Sequence, residues 1–293
     1  MQRSTSQPPC FREHVRRLVA AAEALEIGPS YSPLLPKRDG FRVTTVDHLP
    51  AEKLRVKYAH LGSAVEAIEP VDHVWCEGSL QQVLPADSFD FVVSSHLLEH
   101  QPDLLGFLQD CSQLLRPGGQ VLAIVPDKRF CFDYFQPLTD VATVIRNHRA
   151  ALHRHSFESL YRASAAVRVD ERLGWGQEPI ERFQLIDEDP RAILDRSLAF
   201  AETADYVDAH AGYFTPVSLR LIISELHFLG LLDLSVVAVS DARGCEFLIE
   251  LQKVGDCSLT LESFAAKKHE LLRLLIGEDA DRVAFARTLL AGG

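Results

Sequence analysis

The chain has 293 residues, 47% of them hydrophobic and 24% charged, with a formal net charge of −11 and a pI near 5.5. That length holds one large α/β domain with an insertion or a small appendage, and the acidic balance argues against a duplex nucleic acid partner, which clustered Lys and Arg would bind. The six cysteines form no C-x-x-C pair, and there is neither an apolar leader segment nor a run approaching 18 apolar residues; together these argue against a disulfide framework, a zinc site, a signal peptide and a membrane span, and predict a cytoplasmic protein.

Residues 11–24 predict a helix leading into a first strand at Ala22–Ile27. Further strands are predicted at Phe41–Asp47, Val71–Cys76, Phe89–Ser95 and Gly119–Val125, with helices at Ala51–Leu61 and Pro102–Leu115. Alternation of this kind builds a parallel sheet with right-handed crossovers. Arg116-Pro117-Gly118-Gly119 breaks the helix ahead of the fifth strand. Residues 128–212 hold aromatics, Arg and His but no clear strand, and predict helices over the sheet edge. Thr215-Pro216 opens a helix to Leu229 with proline in its first turn. Leu232–Val239 and Cys245–Leu251 follow across a short turn and must pair antiparallel. Residues 260–290 read as one or two amphipathic helices. The fold class is therefore α/β: a seven-stranded, Rossmann-like doubly wound sheet with a helical insertion. Its expected parts are a Rossmann-like core (1–127), a helical insertion (128–212), completion of the sheet (213–253) and C-terminal helices (254–293).

The most telling stretch is Leu25-Glu26-Ile27-Gly28-Pro29-Ser30, with Asp47 nineteen residues beyond Gly28. Gly28 lets the backbone approach a ligand without a Cβ. Asp47, ending the second strand, suits the two adjacent hydroxyls of a ribose. An acid at Glu26 suits a ligand with a positive group, which favours S-adenosylmethionine over NAD. A dehydrogenase also wants an acid about 20 residues past its glycines. It needs G-x-G-x-x-G, however, and here one glycine of three is present, with Tyr31 and two prolines across the pyrophosphate seat.

The layout resembles the class I S-adenosylmethionine-dependent methyltransferases over residues 22–126 and again over 213–253. The matching segments are Glu26 to Ser32, Asp47, Glu77-Gly78-Ser79-Leu80, Leu84-Pro85 with Phe89 to Val93, and Leu115 to Gly119. Ser30 and Ser32 replace later glycines of the first motif, and Ser79 stands where the family usually has an acid. The resemblance implies that S-adenosyl-L-methionine is the cofactor. It places Glu26 near the amino group, with Gly28, Pro29 and Ser30 forming the turn and Asp47 on the ribose. It also puts Gly78, Ser79 and Leu80 at the adenine edge, and Ser94, Ser95 and His96 at the methionine end. A catalytically degenerate member that acts as a binding partner is the non-enzyme alternative.

Methyl transfer to a hydroxyl needs in-line orientation and loss of a proton. Candidate bases are His100, His148, His155 and His210. Glu99-His100 also matches part of the Glu-x-x-Glu-His metal motif of the ubiquinone-pathway and small-RNA 2′-O-methyltransferases, with His96 in place of the first Glu. An EH pair at this place is also common in metal-free methyltransferases, and no metal is expected. Asp127-Lys128-Arg129-Phe130 and HAGYFTP resemble bacterial methyltransferases of surface polysaccharide and glycoside biosynthesis. The expected reaction is O-methylation of a small-molecule acceptor or glycoside.

Overall fold

The computed structural model describes residues 10–176, 182–203 and 207–291. Helix α1 (Phe11–Val19) buries Phe11, Val15 and Val19, spaced by four on one face. It leads into β1 (Ala24–Ile27), β2 (Val43–Asp47), α2 (Ala51–Lys57) and β3 (His73–Val74). Then come β4 (Phe89–Ser95), α3 (Leu104–Leu114) and β5 (Leu115–Pro126). The segment after β5 carries α4 (Val141–Arg149), α5 (Phe157–Ser164), β6 (Val167–Val169), β7 (Phe183–Leu185) and α6 (Pro190–Ala201). The chain closes with α7 (Pro216–Phe228), β8 (Leu234–Val239), β9 (Glu246–Lys253) and α8 (Leu261–Ala291).

The main sheet has seven strands in the order β3-β2-β1-β4-β5-β9-β8. The first five pair in parallel, and β9 and β8 run antiparallel. The seven-stranded doubly wound sheet expected from the sequence is thus the fold. Strand order reverses between β1 and β4, which opens a crevice at their carboxyl ends. Alternation along β1 puts Leu25 and Ile27 in the cluster that includes α3 and α7, and Ala24 in the cluster against α1. Glu26 shares the α1 side.

Several boundaries differ from the sequence reading. The third strand shrinks to two residues because the Asp72 carboxylate, not backbone, takes the Thr45 N–H at 2.8 Å. The fifth strand begins early, at Leu115, and passes through the glycines without a break. A Cβ on Gly119 would lie 3.0 Å from the Asp90 and Arg116 carbonyl oxygens, so this crossing needs glycine. Residues 128–212 contain a small ribbon of β6 and β7 that was not anticipated; three-residue strands are too short to show a period. The C-terminal segment is one helix of 31 residues. Among the described residues no helix is long and apolar enough to cross a membrane.

Candidate active site

A cavity of about 450 Å³ opens at the carboxyl ends of β1, β2 and β4. Gly28, Asp47, Gly78, Ser79 and Leu97 line its sheet side, α3 contributes Phe107 and Asp110, and Leu152, His155, Leu160 and Phe200 approach from the segment after β5.

Gly28 turns the chain out of β1 with φ +72°. Ser30 is also left-handed, at φ +47°. Its N–H donates to Asp47 Oδ2 at 2.9 Å, which ties the turn to the end of β2. The other oxygen, Oδ1, accepts the His48 N–H at 2.8 Å and faces His48 Nδ1 at 2.6 Å. Lys57 Nζ lies 2.9 Å from His48 Nε2. An ammonium only donates, so Nε2 accepts and Nδ1–H donates to Asp47. Asp47 is thereby held rigidly at the cavity wall with lone pairs to spare.

Glu26 is placed otherwise than expected. It does not line the cavity. Its carboxylate accepts the Leu34 and Leu35 N–H groups at 2.6 and 3.0 Å, and burial raises its pKa to about 7. It holds the 28–35 loop from beneath. Pro29 and Ser30 belong to that loop and also lie off the cavity lining.

At the far end, the Trp75 indole donates to the Gly78 carbonyl at 3.1 Å. The Asp110 carboxylate accepts from Ser79 Oγ and the Leu80 N–H, both at 2.8 Å. Leu80 is fully buried and its N–H is already taken, so it is not free to bond a ligand.

The other wall centres on Glu99. This carboxylate is fully buried, and neither oxygen has a hydrogen-bond partner among the described residues. Oε1 lies 3.5 Å from His96 Nδ1, 3.8 Å from His100 Nε2 and 4.0 Å from His210 Nε2. His100 Nδ1 is 3.0 Å from the Ala209 carbonyl, which can only accept, so Nδ1 carries the proton and Nε2 a lone pair. His210 Nδ1 is 2.6 Å from the Asp133 carboxylate. In the neutral form it also turns an Nε2 lone pair toward Glu99. Burial lowers the pKa of His100. Burial opposes the His210 cation as well, but the Asp133 hydrogen bond and charge outweigh it and raise that pKa. Ligand atoms of Glu99, His100 and His210 all lie within 4.8 Å of one another. With His210 neutral, carboxylate and imidazole lone pairs converge here, and an outer acceptor orients each imidazole. That donor set fits a divalent cation. The expectation of no metal did not foresee this grouping.

His155 lines the cavity. Its Nδ1 is buried without a hydrogen-bond partner among the described residues, and burial pushes its pKa down to about 4. His148 stands apart from the lining. It pairs with Asp103 at 3.0 Å, the residue that caps α3. Ser95 and His96 are likewise off the lining; His96, left-handed at φ +52°, turns Nε2 to Glu246 at 3.0 Å. So Gly28, Asp47, Gly78, Ser79, His100 and His155 share the cavity, and His210 stands behind His100. Sequence reasoning missed His48, Trp75, Leu97, Phe107 and Asp110. Asp110 had one signal, a lone acid seven residues after the α3 cap Asp103, hence on the same helix face.

A doubly wound sheet with a glycine turn, an acid-tipped second strand and a cavity at its switch point has the form of a nucleoside-type cofactor site. A family model described as "Methyltransferase domain" matches residues 11–175, more than half of the chain, and the chain belongs to that family. That membership counts against the dehydrogenase alternative. The ubiquinone biosynthesis O-methyltransferase of Cronobacter sakazakii is 30% identical over 151 residues, 51% of this chain and 56% of that protein. The corresponding Methylobacterium sp. protein is 31% identical over 174 residues, 58% and 56% of the two chains. The chain thus spans little more than half the length of these relatives. Among solved structures, the 1,6-didemethyltoxoflavin-N1-methyltransferase of Burkholderia thailandensis aligns at TM-score 0.43 and 14% identity over 83% of this chain and 76% of its own.

Proposed function

We propose that the protein transfers the methyl group of S-adenosylmethionine to a hydroxyl oxygen of a small molecule or glycoside, with Glu99, His100 and His210 serving the acceptor side. The observation that carries this reading is the buried, unpartnered Glu99 carboxylate facing imidazole nitrogens beside the cavity. An amine acceptor that is neutral at working pH attacks through its own lone pair. A hydroxyl must first be polarised and deprotonated, and this cluster suits that task. The ubiquinone O-methyltransferase relatives are consistent with an oxygen acceptor.

Glu99, His100 and His210 would hold a divalent ion, which when bound lowers the pKa of a coordinated hydroxyl. The residues themselves do the rest. Asp133 and the Ala209 carbonyl fix both imidazoles in their tautomers. His155, neutral above about pH 5 because burial holds its pKa near 4, accepts a hydrogen bond from the acceptor. Leu152, Leu160, Phe200 and Val207 give the lid side of the cavity an apolar lining that excludes water and favours an acceptor with an apolar body. The 128–212 segment is the acceptor lid in this reading, and the 1–127 core holds the cofactor through Asp47 and Gly28.

The test is methyl transfer from labelled S-adenosylmethionine to a panel of phenols, catechols, glycosides and amines, before and after exhaustive chelation. Label on oxygen, lost on chelation and restored by Mn²⁺, is expected. Label on nitrogen alone contradicts the acceptor reading. Oxygen transfer that survives chelation contradicts the metal.

A further inference from the structure

We infer that Asp110, on α3, is the residue that selects adenine, reading the exocyclic amino group of the cofactor. The 78–80 segment has no acid, Ser79 standing at its centre, and the carboxylate of Glu77 just before it pairs with Arg154 at 3.2 Å. The structure delivers one to the same place from the neighbouring helix. Asp110 Oδ1 accepts from Ser79 Oγ at 2.8 Å and from Gln81 Nε2 at 3.1 Å, while Oδ2 accepts the Leu80 N–H at 2.8 Å. The loop is folded around this carboxylate, which lines the cavity beside Gly78 and Ser79.

The position relative to Asp47 matters. The Trp75 N–H donates to the Asp47 carbonyl at 2.9 Å, so the Trp75 corner is next to the carboxylate assigned to the ribose. A base attached to that ribose enters the corner bounded by Trp75, Phe107 and Asp110. The Trp75 and Phe107 rings, with centroids 6.3 Å apart and a 35° tilt, offer apolar walls to a flat heterocycle. An ionised carboxylate is purely an acceptor with about four lone-pair sites, and three protein donors leave room for another. It therefore welcomes the amino group of adenine and repels the carbonyl oxygen that hypoxanthine presents there.

The experiment is calorimetric binding of S-adenosylhomocysteine and S-inosylhomocysteine to the full chain and to Asp110→Asn and Asp110→Ala. The unaltered protein should prefer the adenosyl ligand by on the order of tenfold to a hundredfold. In Asp110→Asn, whose amide can donate to a carbonyl, the preference should collapse or reverse; in Asp110→Ala it should collapse. A merely structural role for Asp110 would weaken both ligands alike and leave their ratio unchanged, and that result overturns the inference. So does a ratio near one in the unaltered protein. Failure of both ligands to bind the unaltered protein would instead strike at the cavity as the cofactor site.

Discussion

The imidazoles of His100 and His210 meet edge to face, with ring centroids 4.6 Å apart although they stand 110 positions apart in the chain. The backbone arranges this meeting. The Glu99 carbonyl accepts N–H bonds from Ala211 and Gly212 at 2.7 and 2.9 Å, which staples the end of the 128–212 segment to the loop after β4. The cluster is thus assembled from two segments distant in the chain, the loop after β4 and the end of the 128–212 segment.

The first prediction concerns the cofactor. Asp47→Ala removes a carboxylate held by Ser30 and His48 and proposed to bond the ribose. Calorimetry should show S-adenosylhomocysteine binding weakened by roughly 1.5–3 kcal/mol, the range for hydrogen bonds to a charged group. Unchanged affinity would remove Asp47 from the site.

Glu26 makes stability depend on pH. Its carboxyl goes from 4.5 in the unfolded reference to about 7 when folded, through burial. The native state therefore holds this proton more tightly, and the stability it contributes is complete below about 4.5 and lost as pH rises through about 7. The swing is on the order of 3 kcal/mol. Denaturant titrations at pH 5 and pH 8 should show a smaller loss in Glu26→Gln than in the unaltered protein. Parallel losses in the two would contradict the assignment.

Glu99 should trade stability for function. Two unpartnered oxygens in the interior are costly. Glu99→Gln removes the charge and offers N–H donors to the neighbouring imidazoles. In metal-free protein it should raise unfolding stability by about 1–3 kcal/mol while abolishing methyl transfer. A destabilised variant would mean that the carboxylate has partners in solution.

Two histidines should behave oppositely. His155→Phe should lower kcat roughly a hundredfold, at the low end for a proton-handling group because its pKa near 4 is far below working pH, with cofactor affinity unchanged. His148→Ala breaks a half-exposed pair with Asp103. It should cost less than about 1 kcal/mol of stability and leave kcat alone. Equal kinetic effects would blur the distinction drawn from the cavity lining.

Much of the fold was legible because its signals are local. Phe89 to Val93 reads as a covered central strand, and the Glu26–Gly28 and Asp47 pattern marks the switch point. The side-chain arrangement was harder to foresee. Glu26 looked like a ligand contact because it precedes the glycine, yet strand alternation turns it toward α1, where Leu34 and Leu35 claim it. Leu80 looked available until Asp110 took its N–H. His210 carried no spacing to Glu99 that a motif could encode, since only the return of the chain past Ala209 brings it there. Such contacts are set by tertiary packing, which a linear pattern does not record.

The most direct measurement is calorimetric titration of Mn²⁺ into chelated protein saturated with S-adenosylhomocysteine. The account predicts one ion per chain, with binding weakened at least about tenfold in Glu99→Gln and His210→Ala and unaltered in His148→Ala. No binding, or the same binding in all variants, would contradict it.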